Sequence, residues 1–212
     1  MGNYLKSFFN TVSFSFIIIG SIGFLGGFLV SLRVLDYTKE LPLSAVENIE
    51  VSNNGNIYLG LHFYGKIQVY NEEGKFLMNW DVQNQGGSFK FDIVGDTILI
   101  ASINNDKFTK HDLKGNIISQ EKSSEAYFNI QDSRFFFDST RNTTYEIKSG
   151  LFPKIEKSNN SGKITLIEMP ILLEIFKGPF PAWLLFITGL VMRFSLNRRN
   201  IFEQIKSFKQ IE

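Results

Sequence analysis

The chain has no cysteine, which excludes disulfides, cysteine-ligated zinc and thiol nucleophiles. Histidine is nearly absent too: His62 and His111 are the only two, and neither has carboxylates at metal-ligand spacing. No Lys-Ser or Lys-Thr follows Gly86-Gly87, so that pair reads as a loop rather than a phosphate cradle. Glu72, Glu73, Asp106 and Asp112 fall in turn-like stretches, and no pair stands out as a glycosidase-type acid and base. A net charge of +1 gives no overall attraction for nucleic acid. These absences predict a protein that is not an enzyme, with no cofactor and no metal. Charge itself is missing from Ser7 through Leu32.

That uncharged run is long enough for a membrane helix, which needs about 20 apolar residues. It predicts a first span over 13–33 after a short N-terminus, 1–12. A second, shorter apolar stretch predicts a span over 178–196. Pro179 and Pro181 stand at its start, where a missing N–H costs little, and Trp183 suits the interfacial belt. Arg193, Arg198, Arg199, Lys206 and Lys209 follow, and such a basic flank belongs on the cytoplasmic side. Both termini are then cytoplasmic and the residues between the spans extracytoplasmic. Residues 197–212 read as a short basic amphipathic helix on the inner leaflet, and 164–177 as an interfacial segment. The Asn-, Lys-, Ile- and Phe-rich composition suits a bacterial chain, which would place it in the inner (plasma) membrane with lipid as one partner.

Ser13, Gly20, Gly23, Gly27 and Ser31 fall on one face of the first span. Small side chains let two backbones approach, so the stripe predicts a helix–helix contact, with the second span or with another protein. Ala182 and Gly189 offer a smaller matching face.

Between the spans the period falls from 3.6 to 2. An offset of about 41 residues carries Ile57-Tyr58-Leu59-Gly60 onto Ile98-Leu99-Ile100-Ala101 and Gly74-Lys75-Phe76-Leu77 onto Gly115-Asn116-Ile117-Ile118, the mark of a four-stranded β-repeat. Asn71-Glu72-Glu73-Gly74 and Asp112-Leu113-Lys114-Gly115 are the corresponding hairpins. A third, degraded copy aligns Tyr145-Glu146-Ile147 with the third strand of the unit and Gly150 with Gly115. Lys157 to Lys163 then reads as a polar linker, so the β-domain is predicted over 41–163. Asn54-Gly55-Asn56-Ile57-Tyr58-Leu59, followed by Gly65-Lys66-Ile67-Gln68-Val69-Tyr70-Asn71 and Gly74-Lys75-Phe76, resembles the NHL-type β-propeller blade. Lys66 stands where that family has Arg, and Asn71 where it has Asp. The resemblance implies a propeller-type module that binds proteins, nucleic acid or small ligands, and in a few relatives acts as an enzyme.

The expected fold is thus two transmembrane helices flanking an all-β domain of about three propeller-like blades. Closed propellers need four to eight blades, so three predict an open stack or arc. Its exposed edges invite a protein partner or a second copy. Phe63-Tyr64 and Phe135-Phe136-Phe137 are candidate interaction aromatics, because neighbours along a strand point to opposite faces and some must look outward. The function expected is a non-catalytic interaction module, a subunit of a membrane complex or a self-assembling partial propeller. The alternatives are an extracytoplasmic sensor of sugar or peptide and, further off, a propeller-type hydrolase.

Overall fold

The computed structural model describes residues 3–35, 37–43, 46–82, 88–131 and 133–208, and for Asn3, Lys177 and residues 198–208 the backbone alone. The Gly86-Gly87 pair and Lys209 lie outside the described residues.

Helix α1 runs Asn3–Ser31 and helix α4 Pro179–Phe208. Two stretches of them, Tyr4–Ser31 and Pro179–Asn197, are long and apolar enough to cross a membrane, with mean hydropathies of 2.1 and 1.4. Neither helix breaks where the sequence boundaries were drawn. Residues 4–12 belong to the same helix as 13–31, and α4 continues through 196/197. No glycine or proline follows Gly189, so nothing interrupts the backbone ladder. The basic tail is therefore an extension of α4 rather than a separate surface helix. At its other end α1 closes with Arg33 in the left-handed region (φ 59°), and Val34 N–H turns back to the Leu29 carbonyl at 3.0 Å.

Twelve strands form three antiparallel four-stranded sheets, each a blade-like meander. The first holds β1 (Val46–Val51), β2 (Ile57–Leu61), β3 (Lys66–Tyr70) and β4 (Phe76–Asp81); a 3₁₀ turn, His62–Tyr64, links β2 to β3. The second holds β5 (Phe89–Val94), β6 (Thr97–Ser102), β7 (Lys107–Asp112) and β8 (Ile117–Lys122). A short helix α2 (Ser124–Asn129) leads to the third: β9 (Phe135–Asp138), β10 (Thr143–Lys148), β11 (Lys154–Asn159) and β12 (Gly162–Glu168). Helix α3 (Ile171–Lys177) joins the last strand to α4.

The first two sheets repeat atom for atom at their outer hairpins. Asn71 Oδ1 accepts from Lys75 N–H at 2.8 Å, and Asp112 Oδ1 accepts from Asn116 N–H at 2.8 Å. Gly74 (φ 77°) and Gly115 (φ 87°) supply the left-handed residue, and a bulge follows each on the return strand. The third sheet departs from the expected register by one strand. Thr143–Lys148 is its second strand rather than its third, and Gly150 lies in the following connection. The Lys157–Lys163 stretch is the β11–β12 hairpin, with Ser158 paired to Lys163, not a linker. The β-domain therefore continues to Glu168, and the 164–177 segment divides into the end of β12 and helix α3. The hairpin carries the same Asx-x-x-Gly pattern, Asn159-Asn160-Ser161-Gly162, with Ser161 N–H donating to Asn159 Oδ1 at 2.9 Å, but it stands 47 residues after Asp112–Gly115 rather than 41.

The first sheet is the centre of the arrangement. One of its faces packs on the third sheet, where Ile49, Ile57 and Leu59 meet Tyr145, Ile147 and Ile155. The other packs on the second, where Tyr58, Ile67 and Val69 meet Phe89, Phe91 and Ile98. Burying one such side chain contributes about 1.5–3 kcal/mol, so the two clusters carry most of the domain's cohesion. The junctions are equivalent. A Cβ on Gly115 of the second sheet would come 2.5 Å from the Trp80 ring of the first, and one on Gly74 of the first would run into the Leu166 carbonyl of the third. The spatial order is thus third, first, second, and no buried cluster joins the second sheet to the third among the described residues.

Candidate functional site

The two long helices lie against each other. Ser13 Oγ donates to the Gly189 carbonyl at 2.8 Å. A Cβ added to Gly20 would stand 2.5 Å from Phe186 N and 2.6 Å from Ala182 O, and one on Gly23 would stand 2.8 Å from both Ala182 Cβ and the Phe176 carbonyl. Only a residue without a side chain lets the backbones come this near. Gly27 lines an apolar cavity of about 150 Å³ with Val30, Tyr37, Leu41 and Tyr64, between α1 and the first sheet. Ser31 is half-buried at the last turn. Arg193 is exposed on α4, its guanidinium 5.8 Å from the Phe14 ring. Arg198, Arg199 and Lys206 follow on the same helix.

The helices are tied to the β-domain on one side. Asp81, at the end of β4, lies 3.8 Å from Arg33 Nε and 3.3 Å from the buried Lys66 Nζ. Leu43 N–H donates to Glu174 Oε1 at 2.9 Å, and Gln68 exchanges hydrogen bonds with the Leu41 backbone at 2.8 and 3.0 Å.

The candidate aromatics separate. Tyr64 is buried in the core, so it offers no surface to a partner; its turn is pressed between the first sheet and α1. Phe63 is half-buried and lines a pocket of about 300 Å³ with Phe24, Pro179, Phe180 and Trp183. Phe136 packs on the core shared by the first and third sheets, whereas Phe135 and Phe137, on the other face of β9, are each 52% exposed. Alternation along the strand accounts for the split.

A buried polar junction went unrecognised in the sequence. Asn48 is fully buried on β1; its Nδ2 donates to the Phe91 carbonyl of β5 at 2.8 Å, and its Oδ1 accepts from Ser133 N–H at 3.3 Å. Ile49 N–H donates to the Ser133 carbonyl at 3.0 Å. One side chain thus binds β1 to β5 of the second sheet and to the segment that leads into β9 of the third. Two residues on lies Glu50, buried, its carboxyl pushed up from an ordinary 4.5 to about 8, by burial first and by the nearby Asp92 second. The available signal was the alternation Asn48, Glu50 against Ile49, Val51, which marks a strand with one polar face.

The histidines stand in different sheets. His62 Nδ1 is 3.0 Å from Glu47 Oε2, and its ring packs on Phe89 at 4.6 Å. His111 lies between Gly115 O and Thr109 Oγ1, each at 3.0 Å, in the place of the Tyr70–Gln68 pair one repeat earlier. Among the described residues no three His, Asp or Glu side chains gather as a metal-ligand set.

No protein-family model and no curated protein matches the chain. Among solved structures it is similar to a catalytically inactive variant of virginiamycin B lyase from Staphylococcus aureus with quinupristin, at 17% identity and a TM-score of 0.36, over 63% of this chain and 44% of that one. It is also similar to a nidogen/laminin complex chain, at 14% identity and a TM-score of 0.31, over 58% and 48%. A third is Hsv2 from Kluyveromyces lactis, at 16% and 0.28, over 59% and 36%. These neighbours are β-propeller-type proteins. The chain spans less than half the length of each of the three. At scores this low the likeness carries no argument about activity or binding, and the three-sheet arrangement rests on the strand pairing itself.

Proposed function

We propose that this chain is a non-catalytic membrane-anchored interaction module, which holds an incomplete propeller-like domain outside the bilayer for a protein partner or a second copy to complete. In this reading α1 and α4 span the membrane with both termini in the cytoplasm. The apolar composition of the two helices and the basic residues after Gly189 support it.

The observation that carries the proposal is that, among the described residues, no buried cluster joins the second sheet to the third. Strand β8 is exposed at all six positions, and Phe135 and Phe137 look outward from the third sheet. A free sheet edge and an apolar face are both costly for a protein to leave uncovered. The test is the mass of the protein extracted in mild detergent, by light scattering corrected for bound detergent. A particle heavier than one chain, which Phe137→Lys returns to one chain, is the expected result. A stable, soluble monomer as the sole species would overturn the proposal.

A further inference from the structure

The two ends of the β-domain differ in chemistry. At the end away from the helices the chain turns on Asn53-Asn54-Gly55, Glu72-Glu73-Gly74, Gly95-Asp96, Lys114-Gly115, Ser139-Thr140-Arg141 and Asn160-Ser161. The one large apolar residue in those turns, Leu113, is packed against the core between the first two sheets. Leu77, Val94, Ile117 and Ile118 are exposed near this end, but they lie within strands.

At the other end stand the connections between the second and third strand of each sheet: His62–Tyr64, residues 103–106 and residues 149–153. This is the end on which α1 and α4 converge, as the Arg33–Asp81 contact and the Phe63 pocket beside Trp183 show. Here the tips carry Ile103, Leu151 and Phe152, which are 44%, 45% and 41% exposed. Leu151 and Pro153 line a cavity of about 210 Å³ together with Phe180, a first-turn residue of α4. The third sheet's connection therefore stands level with the start of the helix, beside the exposed Phe180 and Trp183. Arg134 lines the same cavity, its guanidinium held by Ser149 Oγ at 2.6 Å, so a cation stands next to the apolar tip.

We infer that the 149–153 connection, and Ile103 at the same end of the second sheet, rest in the headgroup layer of the bilayer, Leu151 and Phe152 among the upper acyl chains. This rests on the reading that α1 and α4 span the membrane. Apolar and aromatic side chains with an adjacent cation are the composition that lies in a membrane interface, extending a belt that Phe180 and Trp183 begin on α4. The contact fixes the tilt of the domain: both α1 and the third sheet hold it down, leaving the polar hairpins pointing away from the lipid.

The absence of native cysteine makes the test direct, since each variant carries a single thiol. Full-length Phe152→Cys, Leu151→Cys, Glu73→Cys and Ile22→Cys are labelled with an environment-sensitive fluorophore. Each is placed in vesicles of phosphatidylcholine and phosphatidylglycerol. Lipids spin-labelled near the headgroup or deep in the chain serve as quenchers. The inference expects blue-shifted emission and shallow quenching at Phe152→Cys or Leu151→Cys, and neither at Glu73→Cys. Deep quenching at Ile22→Cys without quenching at both loop positions overturns the inference and leaves the spans standing. Absence of deep quenching at Ile22→Cys overturns the spanning reading and this inference with it.

Discussion

Glu50 shows how one side chain couples the domain to pH. Its carboxyl is held neutral in the fold up to about pH 8, while in the unfolded chain it ionises near 4.5. Unfolding therefore releases a proton between these values, and stability falls as pH rises. The contribution is fully present below about 4.5 and lost by about 8. Each unit is about 1.4 kcal/mol, so the loss amounts to a few kcal/mol. Glu50→Gln should flatten this slope and raise the urea midpoint at pH 8 more than at pH 5. A wild-type midpoint that is level across that range would refute it. The glycines at the hairpins make a second case. Gly115→Ala meets both a φ of 87° and the Trp80 ring, whereas Gly95→Ala meets a φ of 62° and open space. Left-handed strain alone costs about 1–2 kcal/mol and overpacking adds about 1–3. Denaturant titration should rank Gly115→Ala well below Gly95→Ala.

At the scale of elements, the close approach of α1 and α4 depends on individual positions rather than on glycine content. Gly20→Leu would drive a side chain into the backbone of α4 near Ala182 and Phe186, while Gly26→Ala meets nothing within 4 Å. Gly26→Ala should be neutral or stabilising by up to about 1 kcal/mol through helix propensity. Gly20→Leu should lower the melting temperature in detergent and abolish cross-linking between thiols placed on the two helices. Equal behaviour of the two variants would show that the helices do not pack this way. The hairpins of the first two sheets were legible in the sequence because Asn71–Gly74 and Asp112–Gly115 encode their turns in local chemistry. The third sheet was not, since Asn159–Gly162 carries the same signal at an offset of 47 rather than 41, and Gly150, at an offset of 35, stood as a decoy. In the inner strand β1, Asn48 and Glu50 alternate with Ile49 and Val51, which is legible as a strand; that the polar side is buried was not, because only tertiary packing covers it. The helices were legible as apolar runs. Their ends were not, because a helix ends where its backbone finds other partners.

In the molecule as a whole, everything is hung on the first sheet. Both core clusters draw on it, and Asn48 ties its inner strand to β5 and to the segment leading into β9. A fragment of residues 88–168 keeps two sheets and most of their strand pairing, yet it strips the facing half from each cluster. It should show no cooperative thermal transition by circular dichroism. A sharp transition in that fragment would mean that the second and third sheets support each other directly. The same dependence has a temporal side. A ribosome delivers the first sheet early, but Ile49, Ile57 and Leu59 are covered only by residues that end at Glu168, about 100 positions later. At roughly 5–20 residues per second that leaves an apolar face bare for several seconds during synthesis. A chaperone acting on this protein would find its substrate there, on the central blade, before the last one arrives.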